Sequence, residues 1–149
     1  MRKNLAALTI LGVAFFLCAM IPIAALAKGM GKGDGWEAGS KFNRLYNPAT
    51  VETDEGEVLS VEKVMPMKGM SHGVHFTLKS DKGTVSVHLG PSWYIEKEGI
   101  KVQPKDRVTV SGSRITLDGK SVIIADEIRK GGKTWKLRDD KGIPLWRRK

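Results

Sequence analysis

The sequence predicts an all-β protein: a small Greek-key barrel of five to six strands with one short helix or ordered loop. Three observations carry this reading. Residues 73–90, "GVHFTLKSDKGTVSVHLG", alternate apolar and polar on either side of a Gly-containing corner, the pattern of a hairpin. Further strand runs occupy 57–64 ("EVLSVEKV"), 106–117 ("DRVTVSGSRITL") and 121–139, punctuated by turn signals at Asp118-Gly119 and Gly131-Gly132. Residues 91–105 open on Pro91 and break the alternation between the third and fourth runs.

Ahead of these elements, residues 1–27 read as a leader. Arg2 and Lys3 give a positive start, 5–21 are apolar and uncharged, and Ala25, Leu26 and Ala27 form a small-x-small cleavage site. The expectation is a signal peptide cut after Ala27 and a periplasmic or secreted protein. An uncleaved anchor is the alternative, since about 17–25 apolar residues span a bilayer. A lipoprotein is set aside, because Leu17 before Cys18 is too bulky for the usual attachment box. Removing the leader takes two bases and leaves 122 residues with 23 bases against 16 acids, a net charge of +7. It also removes the lone cysteine, so disulfides, thiolate nucleophiles and zinc–thiolate clusters are excluded. The remaining length suffices for one domain with a core.

Residues 28–55 are Gly-rich and aperiodic and read as a flexible arm, with Trp36, Phe42, Leu45 and Tyr46 tacking parts of it onto the domain. The barrel domain is expected over 56–139, with a basic tail at 140–149. In the fourth strand the inward parity runs through Val108 and Val110, then shifts to Ile115 and Leu117, which places a β-bulge at Gly112-Ser113. A helix or loop between strands three and four is the mark of the five-stranded OB barrel, and 91–105 fill that slot. An open sandwich is the other arrangement compatible with the pattern.

Residues 56–128 also resemble the small exported bacterial OB-fold (BOF-like) proteins of the periplasm. The matching positions are Gly56 with Val58, Gly83, Trp93, Pro104 with Asp106 and Val108, and the apolar run 123–128. The resemblance implies the fold; it does not fix an activity. The Met/His loop, "HLGPSWY" and "KLRDDKGIPLW" depart from that pattern.

The hairpin sets a register. With its corner at Ser80 to Gly83, Leu78 faces Val85, Thr77 faces Ser86, Phe76 faces Val87 and His75 faces His88. A slip of one residue would turn an apolar face outward, so this register is preferred. His75 and His88 are therefore expected side by side on the outer, water-facing surface, with Cβ atoms about 4.5–5.5 Å apart. Two imidazoles at that spacing can share one metal ion. The preceding loop, "MPMKGMSH", supplies Met65, Met67, Met70 and His72 as further donors. Thioether with imidazole favours Cu(I); imidazole alone also suits Cu(II), Zn(II) or Ni(II). Copper is thus the cofactor the donor set suggests. The bland readings are a histidine pair that merely covers sheet and methionines that fill gaps at a barrel rim. The small copper chaperones of metal-efflux systems are similar in size and ligand types, but their Trp-x-x-Met-x-Met spacing is absent here.

The alternative function is an OB module that binds nucleic acid, another polyanion or a protein partner through a basic surface. Lys79, Arg129, Lys136 and Arg138 are the candidate residues. Strands two and three carry a single lysine and no outward aromatic, so a base-stacking platform is missing, and export removes most nucleic acid from reach. An anionic surface or an acidic partner suits the basic residues better. Trp93 and Tyr94, brought back by Gly90-Pro91, plug the barrel mouth or line a partner groove; the plug is preferred because tryptophan is usually well buried. No catalytic motif is present, and Asp126 and Glu127, adjacent on a strand, point to opposite faces. The chain is read as a binding protein and not an enzyme.

Overall fold

The computed structural model describes residues 34–147. The expected leader and its cleavage point lie outside them, as do residues 28–33 of the arm and the last two of the tail. Six strands and one short helix follow in order: β1 (Val51–Val64), β2 (Gly73–Ser80), β3 (Gly83–Pro91), α1 (Ser92–Lys97), β4 (Arg107–Leu117), β5 (Lys120–Lys130) and β6 (Lys133–Lys136). Strand order is β3-β2-β1-β4-β5-β6, all antiparallel, and a parallel pairing of Ser86, Val87 and His88 with Val122, Ile123 and Ile124 joins β3 to β5. That pairing closes five strands into a Greek-key barrel, and α1 stands between β3 and β4, which is the OB fold.

β1 is long because it serves two partners. Its first half pairs with β4 and its second with β2, with Gly56 and Glu57 paired to both. A Cβ at Gly56 would run into the Lys79 carbonyl, so only glycine allows the two neighbours to converge there. The register shifts between Val58 and Ser60, which leaves Leu59 as the extra residue of a bulge. The strand begins at Val51, earlier than its alternating run suggests, because pairing with β4 extends it over polar residues.

The β2–β3 hairpin has the expected register throughout, from Ser80 opposite Gly83 to His75 opposite His88. The β4–β5 turn uses Asp118 and Gly119, both with positive φ (51° and 76°), a type I′ pair. Gly131 and Gly132 make the same kind of turn before β6, so the long last run divides into two strands. The bulge expected at Gly112-Ser113 lies at that level, but the register shows the extra residue to be Asp126 on β5. The core is built from the inward faces, with Val58, Phe76, Leu78, Val87, Val110, Ile123 and Ile128 fully buried. Each such side chain contributes about 1.5–3 kcal/mol by leaving water.

Residues 34–50, read from sequence as part of a flexible arm, pack against the barrel through Trp36, Phe42, Leu45 and Tyr46, the residues expected to tack it there. Trp36 and Phe42 are each 1% exposed. The tail folds back over them through a bridge between Arg138 and Pro144. Trp146 donates its indole N–H to the Trp36 carbonyl (2.9 Å), and Asn43 donates to the same oxygen (2.8 Å). The two segments thus form one cap, held by aromatic burial that has no periodic signature. No helix among the described residues is long and apolar enough to cross a membrane.

Candidate functional site

β2 and β3 present His75, Thr77, Thr84, Ser86 and His88 toward a cavity of about 710 Å³. The β1–β2 loop walls one side with Met65 and Pro66, and the β4–β5 turn walls the other with Leu117, Asp118 and Lys120. Strands two and three flanked by these two loops are the surface on which OB folds take ligands. The site is therefore set by topology: hairpin register aims the side chains, and barrel closure brings β5 alongside.

The two imidazoles stand 5.2 Å apart, centre to centre, with their planes at 65°. Their placement corrects one expectation. The pair does not face open water: His88 is 6% exposed, and the ring of Phe42 lies 5.8 Å from it. Burial, assisted by the neighbouring His75, pulls the His88 pKa down to about 4, so at neutral pH it is uncharged. His75 sits nearer the opening, its Nε2 3.4 Å from a carboxylate oxygen of Glu62. Its Nδ1 is buried with no hydrogen-bond partner among the described residues.

The loop donors divide between two places. Met65 is 54% exposed and shares the cavity with the histidines. Met67 and Met70 line a separate small cavity with Gly35, Ser40 and Phe42, where Met70 packs into the core. They anchor the cap and do not join the pair. His72 is exposed and contributes its carbonyl to the Ser92 N–H. Among the described residues no three His, Cys, Asp or Glu side chains gather as a metal-holding group.

The expected partner-binding residues are dispersed. Trp93 does not plug the barrel; it is 46% exposed and donates to Asp34 Oδ2 at 2.9 Å. Ile95, one turn-side over on α1, is the residue that enters the core. Tyr94 packs beside Trp146 at 5.5 Å. Lys79 and Lys136 are exposed, and Arg129 pairs with Glu127 at 2.7 Å. Arg138, by contrast, is buried in the cap, out of reach of a partner. Its guanidinium lies over the rings of Tyr46 and Trp146 and donates to Asn43 Oδ1 (2.7 Å) and the Gly142 carbonyl (3.1 Å). Desolvation lowers its pKa to about 10, which leaves it charged at neutral pH.

Sequence reasoning missed Glu62 and Phe42. Glu62 stands opposite His75 only because the bulge at Leu59 shifts the β1–β2 register by one; without it Val61 would hold that place. Phe42 was expected to tack the arm onto the domain, but a short aperiodic stretch does not say which surface it covers.

A family model described as the MamS/MamX magnetosome protein family matches residues 50–135, more than half of the chain. No curated protein matches the chain. Among solved structures, one similar chain is a mutant of TiaS lacking its ZRD, in complex with agmatine, at 16% identity and TM-score 0.43; the match covers 58% of this chain and 25% of that one. The hypothetical protein YgiW from E. coli is 21% identical over 54% of this chain and 73% of its own, at TM-score 0.39. A chain of the S. pombe Stn1–Ten1 complex is 12% identical over 64% of this chain and 77% of its own, at TM-score 0.43. This chain thus spans a quarter of the TiaS chain's length.

Proposed function

The chain belongs to the MamS/MamX magnetosome protein family, and from that premise we propose that it is a magnetosome-associated, non-enzymatic binding protein. Its ligand is a transition-metal ion held in the cleft between the β1–β2 loop and the β4–β5 turn. One observation carries this reading: two imidazoles side by side on the OB ligand face, one kept neutral by burial and the other with a buried nitrogen that has no partner. A neutral imidazole is the form that ligates, and an unsatisfied buried nitrogen costs about 1–3 kcal/mol until something binds it. With metal–nitrogen bonds of about 2.0–2.1 Å, rings at this separation can close on one ion. Met65 adds a thioether, so the set suits copper, Cu(I) above all. Cut after Ala27, the chain would lose Cys18 and hold such an ion with no cysteine to oxidise.

The experiment is a titration of the protein with Cu(I), Cu(II) and Zn(II). Saturable uptake of one ion, lost in His75→Ala and in His88→Ala, supports the reading; uptake unchanged in both variants overturns it.

A second reading rests on a groove of about 410 Å³ at the other end of the sheet, where Arg107, Arg129, Lys130 and Lys133 meet. It would receive an acidic partner or another polyanion. Arg107 is already paired with Glu55 and Lys130 with Asp106, which weakens it relative to the first. Binding of an acidic polymer that falls with salt and survives His75→Ala would favour it.

A further inference from the structure

We infer that the cleft takes its metal together with a small oxygen-rich carboxylate, a hydroxycarboxylate of the citrate class, and not as a bare ion. This rests on the metal reading above and adds the second half of the ligand. The first ground is room: the cleft, about 710 Å³ and open to solvent, leaves space beside an ion bound between the two imidazoles.

The second ground is what lines the rest of it. Along β3, Thr84, Ser86 and His88 share one face, and Thr77 stands opposite Ser86 just as His75 stands opposite His88. The hydroxyl pair therefore lies one step along the strands from the imidazole pair, about 6.6 Å at two residues of 3.3 Å each. Parallel pairing of Ser86 with Val122 brings Ser121 and Lys120 to the same end. The lining thus changes from nitrogen ligands at one end to hydroxyls and an ammonium at the other. Ser121 is already oriented by Arg114, whose Nη1 donates to its hydroxyl at 2.9 Å. Lys120 is exposed at the rim, where Asp118 also lines the cleft.

The third ground is coordination. Two imidazoles and one thioether leave Cu(II) or Zn(II), the harder ions of the set and those that accept oxygen donors, with open positions. A carboxylate with an adjacent hydroxyl would fill them from the hydroxyl side. Its remaining carboxylates would extend over Ser86 and Thr77 toward Lys120, where hydrogen bonds to a charged group are the stronger kind.

Equilibrium dialysis of the protein against radiolabelled citrate, with and without Cu(II) or Zn(II), tests this. The expected result is about one citrate retained per bound metal, at least tenfold more than without metal, with retention cut at least tenfold in the Ser86→Ala/Lys120→Ala double variant. Metal retained without citrate overturns the inference and leaves the metal reading intact. Citrate retained equally without metal also overturns it, since the cleft would then be a plain anion site. No metal retained at all removes both. The wild-type measurements decide these outcomes even if the double variant does not fold.

Discussion

The ring of Phe42 lies 5.8 Å from the ring of His88, and so a residue from the segment before the first strand forms the roof over a strand histidine. The rest of the cap follows from that contact. Phe42 packs edge-on to Trp36 at 5.1 Å, and Trp36 packs edge-on to Trp146 at 6.0 Å. The site histidine is thereby tied to both ends of the described chain.

Removing the roof should release the histidine. Phe42→Ala is expected to cost about 3–5 kcal/mol, as for other buried aromatic truncations. The His88 pKa should rise from about 4 toward the ordinary value of 6.5 as water reaches it. A proton NMR titration of the imidazole signals checks this; an unchanged His88 titration would show that the strands, not Phe42, desolvate it.

The same depressed pKa makes stability pH-dependent. The folded state resists protonating His88, whereas the unfolded chain takes the proton near pH 6.5. The contribution is therefore whole above pH 6.5 and is lost as pH falls toward about 4. At about 1.36 kcal/mol per pKa unit the loss is on the order of 3 kcal/mol. Urea unfolding at a series of pH values should show this fall, and His88→Phe should flatten it.

Arg138 holds the cap by geometry as well as charge. Its planar fork sits over two rings while donating to Asn43 and Gly142. Arg138→Ala is expected to destabilise by about 2–4 kcal/mol, through the lost packing and the acceptors left without a donor. Arg138→Lys should not restore it, because an ammonium cannot make the stacked, two-acceptor contact. Thermal unfolding of the two variants decides; full recovery with lysine would mean that charge alone matters.

Gly73 receives the Trp36 indole directly, and a Cβ there would overlap the ring. Gly73→Ala should push Trp36 off the sheet, at about 1–3 kcal/mol for the overpacking. A red shift in the emission of a variant retaining Trp36 as its one tryptophan would report it.

Met65 supplies the soft donor in the proposed cleft. Met65→Ala is expected to weaken Cu(I) by roughly tenfold, about 1.4 kcal/mol, while Zn(II), which gains little from a thioether, changes less. Equal losses for both ions would assign Met65 to packing at the rim and not to ligation.

The barrel was legible in the residues because its signals are local. Alternation in 73–90, turn chemistry at Asp118-Gly119 and the interruption after Pro91 each act within a few residues, and together they allow few ways to pair the strands. The His75–His88 pairing follows from the same logic, since sliding the hairpin would expose one apolar face. Trp93 and Ile95 were harder. Both lie on α1, and which of the two enters the core depends on how that short helix meets the barrel end.

The positions of the strands, the hairpin register and the presence of two imidazoles side by side were thus contained in the amino-acid pattern, through the two-residue period of a strand; the choice of barrel over open sandwich came with the β3–β5 pairing. Their burial was not. Whether His88 meets water depends on Phe42 and on the cap that Arg138 and Trp146 hold in place, contacts between residues up to 110 positions apart. Such contacts have no periodicity to read. They exist because aperiodic aromatic residues lower the free energy most by covering whatever apolar surface the closed barrel leaves beside them, and that surface appears only once the strands have paired.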